Sequence, residues 1–119
     1  MTPTTLYRKT LEKLQVAAAG EPVDADDVQL IRSKYESLYE VLAVKELVSW
    51  NISQDIPENC ANPVVMMLAF LSASEFGMNP LEFAAEGALD VVPPSIGERQ
   101  LRAQFARDFN YEPARTEYF

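Results

Sequence analysis

The sequence contains no histidine, and this absence removes the commonest general base and the commonest zinc ligand. A single cysteine, Cys60, excludes a disulfide within the chain and is typical of a protein kept in a reducing compartment. The four glycines stand at isolated positions, so there is no glycine-rich phosphate loop. No catalytic constellation can be assembled from the residues that remain. We therefore expect a protein that is not an enzyme and that uses no cofactor or metal.

Basic residues are missing from a long internal stretch. The net charge is −8, and the stretch from Glu46 to Asp90 carries seven acids and no base. All ten lysines and arginines lie before or after this stretch. This excess of negative charge argues against a general nucleic-acid binder and against a protein that binds anionic membranes. We expect no membrane partner, and the acid-only stretch is most simply a solvated face.

No apolar run is long enough to cross a bilayer, and the longest lies within NPVVMMLAFLSASEFG, residues 62–77. Its apolar side chains cover more than one face of a helix, which predicts a helix buried on most sides. Asn62 is the predicted cap, Pro63 suits the first turn, and Gly77 supplies a left-handed stop. The rest of the chain is expected to pack around this helix.

Four further helices are predicted. Thr2 and Pro3 begin one that runs to about Gln15, and Asp24 caps a second. The second helix carries an apolar stripe made of Val28, Ile31, Tyr35, Leu38 and Leu42. After the central helix, Asn79-Pro80 opens a helix to about Leu89, whose inward residues are predicted to be Leu81, Ala84, Ala85, Ala88 and Leu89. Ser95 or Gly97 leads into the last.

The segment 45–60 has no helical period, which predicts a structured loop with a short strand or hairpin as an option. Trp50, within it, is expected to cover the edge of the bundle rather than to bind a base. The predicted fold is all-α, a small bundle of four to five helices with an extended C-terminal arm. The boundaries are a helical domain at 1–109 and an arm at 110–119.

The arm, beginning after Phe109, has no helical period and ends in two aromatic residues. Two interpretations of it stay open. It is either a frayed terminus with incidental aromatics or a segment that docks on a partner, because aromatic side chains are favoured anchors in interfaces.

The order of these features resembles a known family, the head-to-tail adaptor (connector) proteins of tailed bacteriophages. The nearest branch is the podovirus-type tail accessory, or packaged-DNA-stabilising, proteins. The matching segments are the opening helix and loop at 11–21, the helix at 24–42, Trp50 with the turn at 55–58, the end of the hydrophobic helix at 71–77, and the closing Tyr118-Phe119. The likeness covers most of the chain and lies in the order and spacing of these segments.

This resemblance implies a virion protein of the phage neck, made in the host bacterial cytoplasm. It would form a ring with neighbouring copies of itself, typically twelve, beneath the portal protein. The ring would extend the channel for duplex DNA without sequence-specific binding, help to retain packaged DNA, and give a platform to a downstream tail or nozzle protein. A neck adaptor of a siphovirus or myovirus is an equal alternative.

Carried onto this sequence, the resemblance names three sets of residues. The arm predicted to contact the portal contains Tyr111, Pro113, Arg115, Tyr118 and Phe119. The predicted subunit interface contains Arg99, Arg102, Arg107 and Phe109. Acids predicted to face the channel or a neighbour are Glu46, Asp55 and Glu58.

Two other classes compete with the adaptor. One is a helical packaging regulator such as a small terminase subunit, which should carry a basic recognition helix. The segment 98–109 bears arginines but balances them with acids. The other is a bacterial protein-interaction domain unrelated to phage.

Overall fold

The structure is a computed structural model that describes residues 1–18, 20–89 and 95–108. It contains five α-helices and two 3-10 turns, and no strand occurs among the described residues. The helices are α1 (Pro3–Lys13), α2 (Ala25–Val44), α3 (Glu58–Ser72), α4 (Ala84–Gly87) and α5 (Ile96–Asp108). The all-α prediction is confirmed. Residues 45–57 form a loop without strand or hairpin, and 58–60 already belong to α3. Phe109 and the arm at 110–119 lie outside the described residues.

The predicted starts of the first two helices are confirmed. The Thr2 hydroxyl accepts a hydrogen bond from the Thr5 N–H at 3.1 Å, and Pro3 begins α1. The Asp24 carboxylate accepts from the Asp26 N–H at 2.8 Å and caps α2. Most of the predicted stripe on α2 is buried, namely Ile31, Tyr35, Leu38 and Leu42, while Val28 is half-buried.

Helix α3 is the centre of the bundle, as predicted, because it contacts α1, α2, α4 and α5. Its start, however, was predicted wrongly. The helix begins at Glu58, so Asn62 is an exposed helical residue rather than the cap, and Pro63 lies inside the helix. The extra turn buries Cys60 and Ala61. Burying this apolar surface compensates for the one backbone hydrogen bond that a proline removes.

The end of the hydrophobic run agrees with the prediction. After Ser72 the chain tightens into a 3-10 turn, Ala73–Phe76, and Gly77 follows with a left-handed φ of 75°. The Met78 N–H then donates to the Ala73 carbonyl at 2.9 Å. This glycine lets the chain reverse direction without steric strain.

The predicted helix from Leu81 to Leu89 is shorter than expected. Asn79 does cap it, but the segment divides into a 3-10 turn, Pro80–Glu82, and the single turn of α4. The change of direction buries Phe83 and leaves Leu81 77% exposed. The inward positions assigned to Leu81 and to the exposed Ala85 were therefore wrong. Phe83 buries a larger apolar surface than leucine, which favours this arrangement.

Helices α1 and α2 end in the same way, on a non-glycine residue in the left-handed region. Gln15 has φ 62° and Glu46 has φ 58°. The next residue in each case, Val16 or Leu47, donates its N–H to the carbonyl five residues back in the helix, at 3.0 and 2.9 Å. Both ends are therefore Schellman motifs, in which glycine is the preferred residue at the left-handed position.

Replacing Glu46 with glycine is expected to stabilise the chain by about 0.5 kcal/mol. The reason is that relief of left-handed strain, about 1 kcal/mol, exceeds the added entropy of the unfolded chain. Gln15→Gly should have the same sign. Chemical denaturation would measure both, and Glu40→Gly within α2 is the matched control, expected to destabilise by about 1 kcal/mol. A destabilising Glu46→Gly would contradict this account of the helix end.

Candidate interaction surface

Helix α5 has one buried side and one exposed side. The Ser95 hydroxyl accepts a hydrogen bond from the Glu98 N–H at 3.2 Å and caps the start of the helix, so Ser95 is the one of the two predicted leads, Ser95 or Gly97, that precedes α5. Glu98, Leu101 and Gln104 face the bundle and are buried. The exposed residues of the helix are Ile96, Arg99, Gln100, Arg102, Ala103, Ala106 and Arg107.

Glu98 is a buried acid, with 2% of its surface exposed. Its Oε2 atom accepts from the Arg102 guanidinium at 2.7 Å and lies 3.4 Å from the Lys45 ammonium. Its Oε1 atom is buried without a hydrogen-bond partner among the described residues. The carboxylate therefore links the end of α2 to the first turns of α5. Removing one partner of this buried ion pair would leave a charge uncompensated.

Sequence reasoning missed the role of Glu98 because it was counted among acids that balance the arginines on the surface. The sequence did hold a signal. Ser95 and Glu98 have the three-residue spacing of a capping box, which places the acid in the first turn of a helix. With Glu98 turned inward, the exposed side of α5 carries arginine and no acid over residues 95–107.

The arginines predicted for the subunit interface are all exposed. Arg102 already bonds Glu98 within its own helix, and the Arg107 guanidinium donates to the Gln104 side-chain oxygen at 3.0 Å. Arg99 lies on the same side, one turn before them. The structure thus brings these three predicted residues together on one helix, and their contact with a second subunit stays a prediction.

The three predicted acids are exposed but lie on separate elements. Glu46 ends α2, Asp55 is in the loop, and Glu58 begins α3. The Glu58 carboxylate accepts a hydrogen bond from the amino group of Met1. Other acids of the base-free stretch also have partners from α1 and α2, with Glu75–Lys34 at 3.5 Å and Glu86–Lys13 at 3.0 Å. The acid-rich stretch is therefore partly neutralised within the chain.

An aromatic series joins α1, α2 and the loop. Adjacent rings of Tyr7, Tyr35, Tyr39 and Trp50 meet edge to face, with centroids 6.0 to 6.4 Å apart. Burial raises the pKa of Tyr7 and of Tyr35, so both phenols are neutral at physiological pH. Trp50 is 7% exposed and belongs to the hydrophobic core, which is the packing role predicted for it.

Two apolar side chains stand out from the surface. Val44, in the last turn of α2, is 83% exposed, and Leu81, in the second 3-10 turn, is 77% exposed. Val41, one turn before Val44, is also exposed and borders the same shallow groove together with Glu40 and Lys45. Uncovered apolar residues that adjoin one another are a feature of interaction surfaces.

Two kinds of site are not found in the described part of the chain. No group of three or more acidic or cysteine side chains converges there in a way that could hold a metal ion. None of the helices over 1–18, 20–89 and 95–108 has the length and apolar character needed to cross a membrane. What the described residues do offer is a cationic face on α5 and an apolar patch at the end of α2.

Comparison with known proteins adds no family to this description. The chain matched no protein-family model, no curated protein and no solved structure.

Proposed function

We propose that this protein is a structural, non-enzymatic component of a bacteriophage virion, a head-to-tail adaptor that assembles as a ring beneath the portal. In that position it would extend the DNA channel, help to retain packaged DNA and provide the platform for a tail or nozzle protein. The proposal rests on the family resemblance of the sequence. The observation that supports it is a helical bundle whose charged and apolar surfaces are not covered by the part of the chain that the structure describes.

The surface charges favour association between copies. Exposed arginines lie on α5, whereas exposed acids such as Glu46 and Asp55 lie on other elements. A head-to-tail contact places one surface of a subunit against a different surface of its neighbour, and opposite charges fix which surfaces meet. The exposed Val44 adds apolar area that such a contact would remove from water.

A second candidate function is a packaging regulator that binds nucleic acid. It is favoured by the exposed side of α5, where three arginines occur and residues 95–107 include no exposed acid. The net charge of −8 opposes it, because non-specific affinity for DNA comes from neutralising phosphates. Binding to duplex DNA that weakens steeply with added salt would support this candidate over the adaptor.

The adaptor is tested by native mass measurement of the purified chain, alone and mixed with the portal ring encoded in the same genome. We expect a stoichiometric ring of copies on the portal. Removing residues 111–119 should abolish this binding, since the resemblance assigns the portal contact to the arm.

The helical circular dichroism signal and the melting temperature provide the control for that truncation. Both should stay within the error of the full-length chain, because the arm is predicted to bind a partner rather than the core. Full binding by the truncated chain would overturn the role of the arm. Failure of the full-length chain to bind, with a defined oligomer already present alone, would favour a regulator or a free-standing interaction domain.

A further inference from the structure

The C-terminal half of α2 has a second face that the described residues of the chain do not cover. The buried stripe of this helix packs against α1 and α3, while Val41 and Val44 point away from it. The exposed Glu40 lies beside them, and Glu46 follows at the end of the helix. This α2 patch, defined as Glu40, Val41 and Val44, is therefore apolar, with the Glu40 carboxylate on one border and Lys45, which pairs with Glu98 of its own chain, on the other.

The exposed face of α5 has the opposite character. Ala103 and Ala106 lie on it one turn apart, with Arg99, Arg102 and Arg107 around them. The alanines leave room for a side chain from another helix, and the arginines surround that space with positive charge. This α5 face consists of these five residues.

The α2 patch and the α5 face differ in side-chain size and in charge in a way that lets one fit the other. Branched apolar side chains on one match small residues on the other, and a carboxylate on one matches guanidinium groups on the other. Val44 is 83% exposed, so the α5 face of its own chain does not cover it.

We infer that the α2 patch of one copy docks on the α5 face of a second copy of this chain. The occupant is a second copy because both halves of the complementary pair occur in the one sequence. Glu40 would pair with an arginine of the neighbour, and Val41 and Val44 would lie against Ala103 and Ala106. The inference rests on the proposed function, since it names the contact between neighbouring copies in the ring.

Disulfide trapping tests this contact. Val44→Cys and Ala103→Cys are made in separate chains, one of them tagged so that the mixed dimer is identified by its mass. Both positions are exposed, and the native Cys60 is buried, so it contributes little background. Under mild oxidation, the mixture should give at least ~10-fold more mixed disulfide than the control, because docking raises the effective concentration of the two thiols.

The matched control replaces Val44→Cys with Gln29→Cys in the same mixture with Ala103→Cys. Gln29 is exposed on the other half of the same helix. Adding Glu40→Arg to the Val44→Cys chain should lower the mixed product at least about fivefold, because like charges then face each other. Ser33→Arg, on the exposed N-terminal half, should have little effect. Half-molar salt should act in the same direction as Glu40→Arg.

Two results would overturn the inference. One is a yield of mixed disulfide no greater than that of the Gln29→Cys control, both for the free chains and for chains bound to the portal. The other is a disulfide between two Val44→Cys chains in greater yield than the mixed disulfide, because that product would place α2 of one copy against α2 of the other. The proposed function is judged separately by portal binding. Binding without the mixed disulfide would reject only this contact, whereas the mixed disulfide without binding would establish the contact and reject the adaptor.

Discussion

Replacing Trp50 with alanine is expected to cost about 4 kcal/mol of unfolding free energy, a typical value for truncating a buried aromatic residue. The indole ring is 7% exposed and meets Tyr39 edge to face. Its N–H donates to the Tyr35 hydroxyl at 3.0 Å, so truncation also leaves a buried hydroxyl without that donor. Thermal unfolding followed by circular dichroism should show a fall of roughly 10–15 °C.

Two milder variants separate the parts of this effect. Trp50→Phe keeps an aromatic ring but loses the indole N–H, so it should be clearly less destabilising than Trp50→Ala. Tyr39→Phe removes only the hydroxyl that donates to the Trp50 carbonyl, at a cost of about 1 kcal/mol. If Trp50→Ala changed stability by less than about 1 kcal/mol, the loop would not be anchored by this residue.

Gly87→Ala is the second substitution with a large expected effect. A Cβ atom at this position would lie 2.2 Å from the Met66 carbonyl oxygen and 2.9 Å from the Phe70 Cβ atom. These neighbours belong to α3 and include its backbone, which cannot move aside as a side-chain end can. We expect α4 to be forced off α3, at a cost of about 3 kcal/mol or more, measured by urea denaturation.

Gly20→Ala is the matched control, because it tests backbone strain without crowding. Gly20 has φ 84°, and a Cβ atom there would meet nothing within 4 Å. The control should therefore cost only about 1 kcal/mol from the left-handed conformation. Equal losses for the two variants would mean that contact between α4 and α3 is not what requires a glycine at Gly87.

The elements that the sequence predicted well are those fixed by local chemistry. Thr2, Asp24 and Asn79 cap helices because a short polar side chain satisfies free N–H groups close to it in the chain. The stripe on α2 is predictable because its apolar residues recur at helical spacing over several turns. Gly77 ends its turn as expected, since few other residues accept its φ angle.

The misplaced features depend on contacts between distant parts of the chain. Asn62-Pro63 looks like a helix start, but burial of Cys60 against the core decides where α3 begins. Leu81 and Phe83 are both apolar, and only the path of the chain onto α3 determines that Phe83 is the buried one. The sequence alone shows neither of these tertiary contacts, which override local preference.

The candidate surface was predicted in part. The common position of Arg99, Arg102 and Arg107 on one exposed side follows from the helix that carries them, and their role in a subunit interface stays a prediction. The inward turn of Glu98 could not be predicted from its charge, because a glutamate is almost never fully buried unless it is paired. Its partner Lys45 lies 53 positions earlier, on another helix. The apolar patch at Val41 and Val44 was missed because valines in a helix are ordinarily assigned to the core.

The long separation between Lys45 and Glu98 has a consequence for the order of folding. A contact between residues 53 positions apart closes a long loop, and the entropy of closing a loop must be paid before the contact contributes. Contacts between consecutive helices close shorter loops and form sooner. We expect the contacts of α5 with α4 and α3, which close shorter loops, to form before this ion pair. During synthesis the ion pair cannot form until Glu98 leaves the ribosome, 53 residues after Lys45.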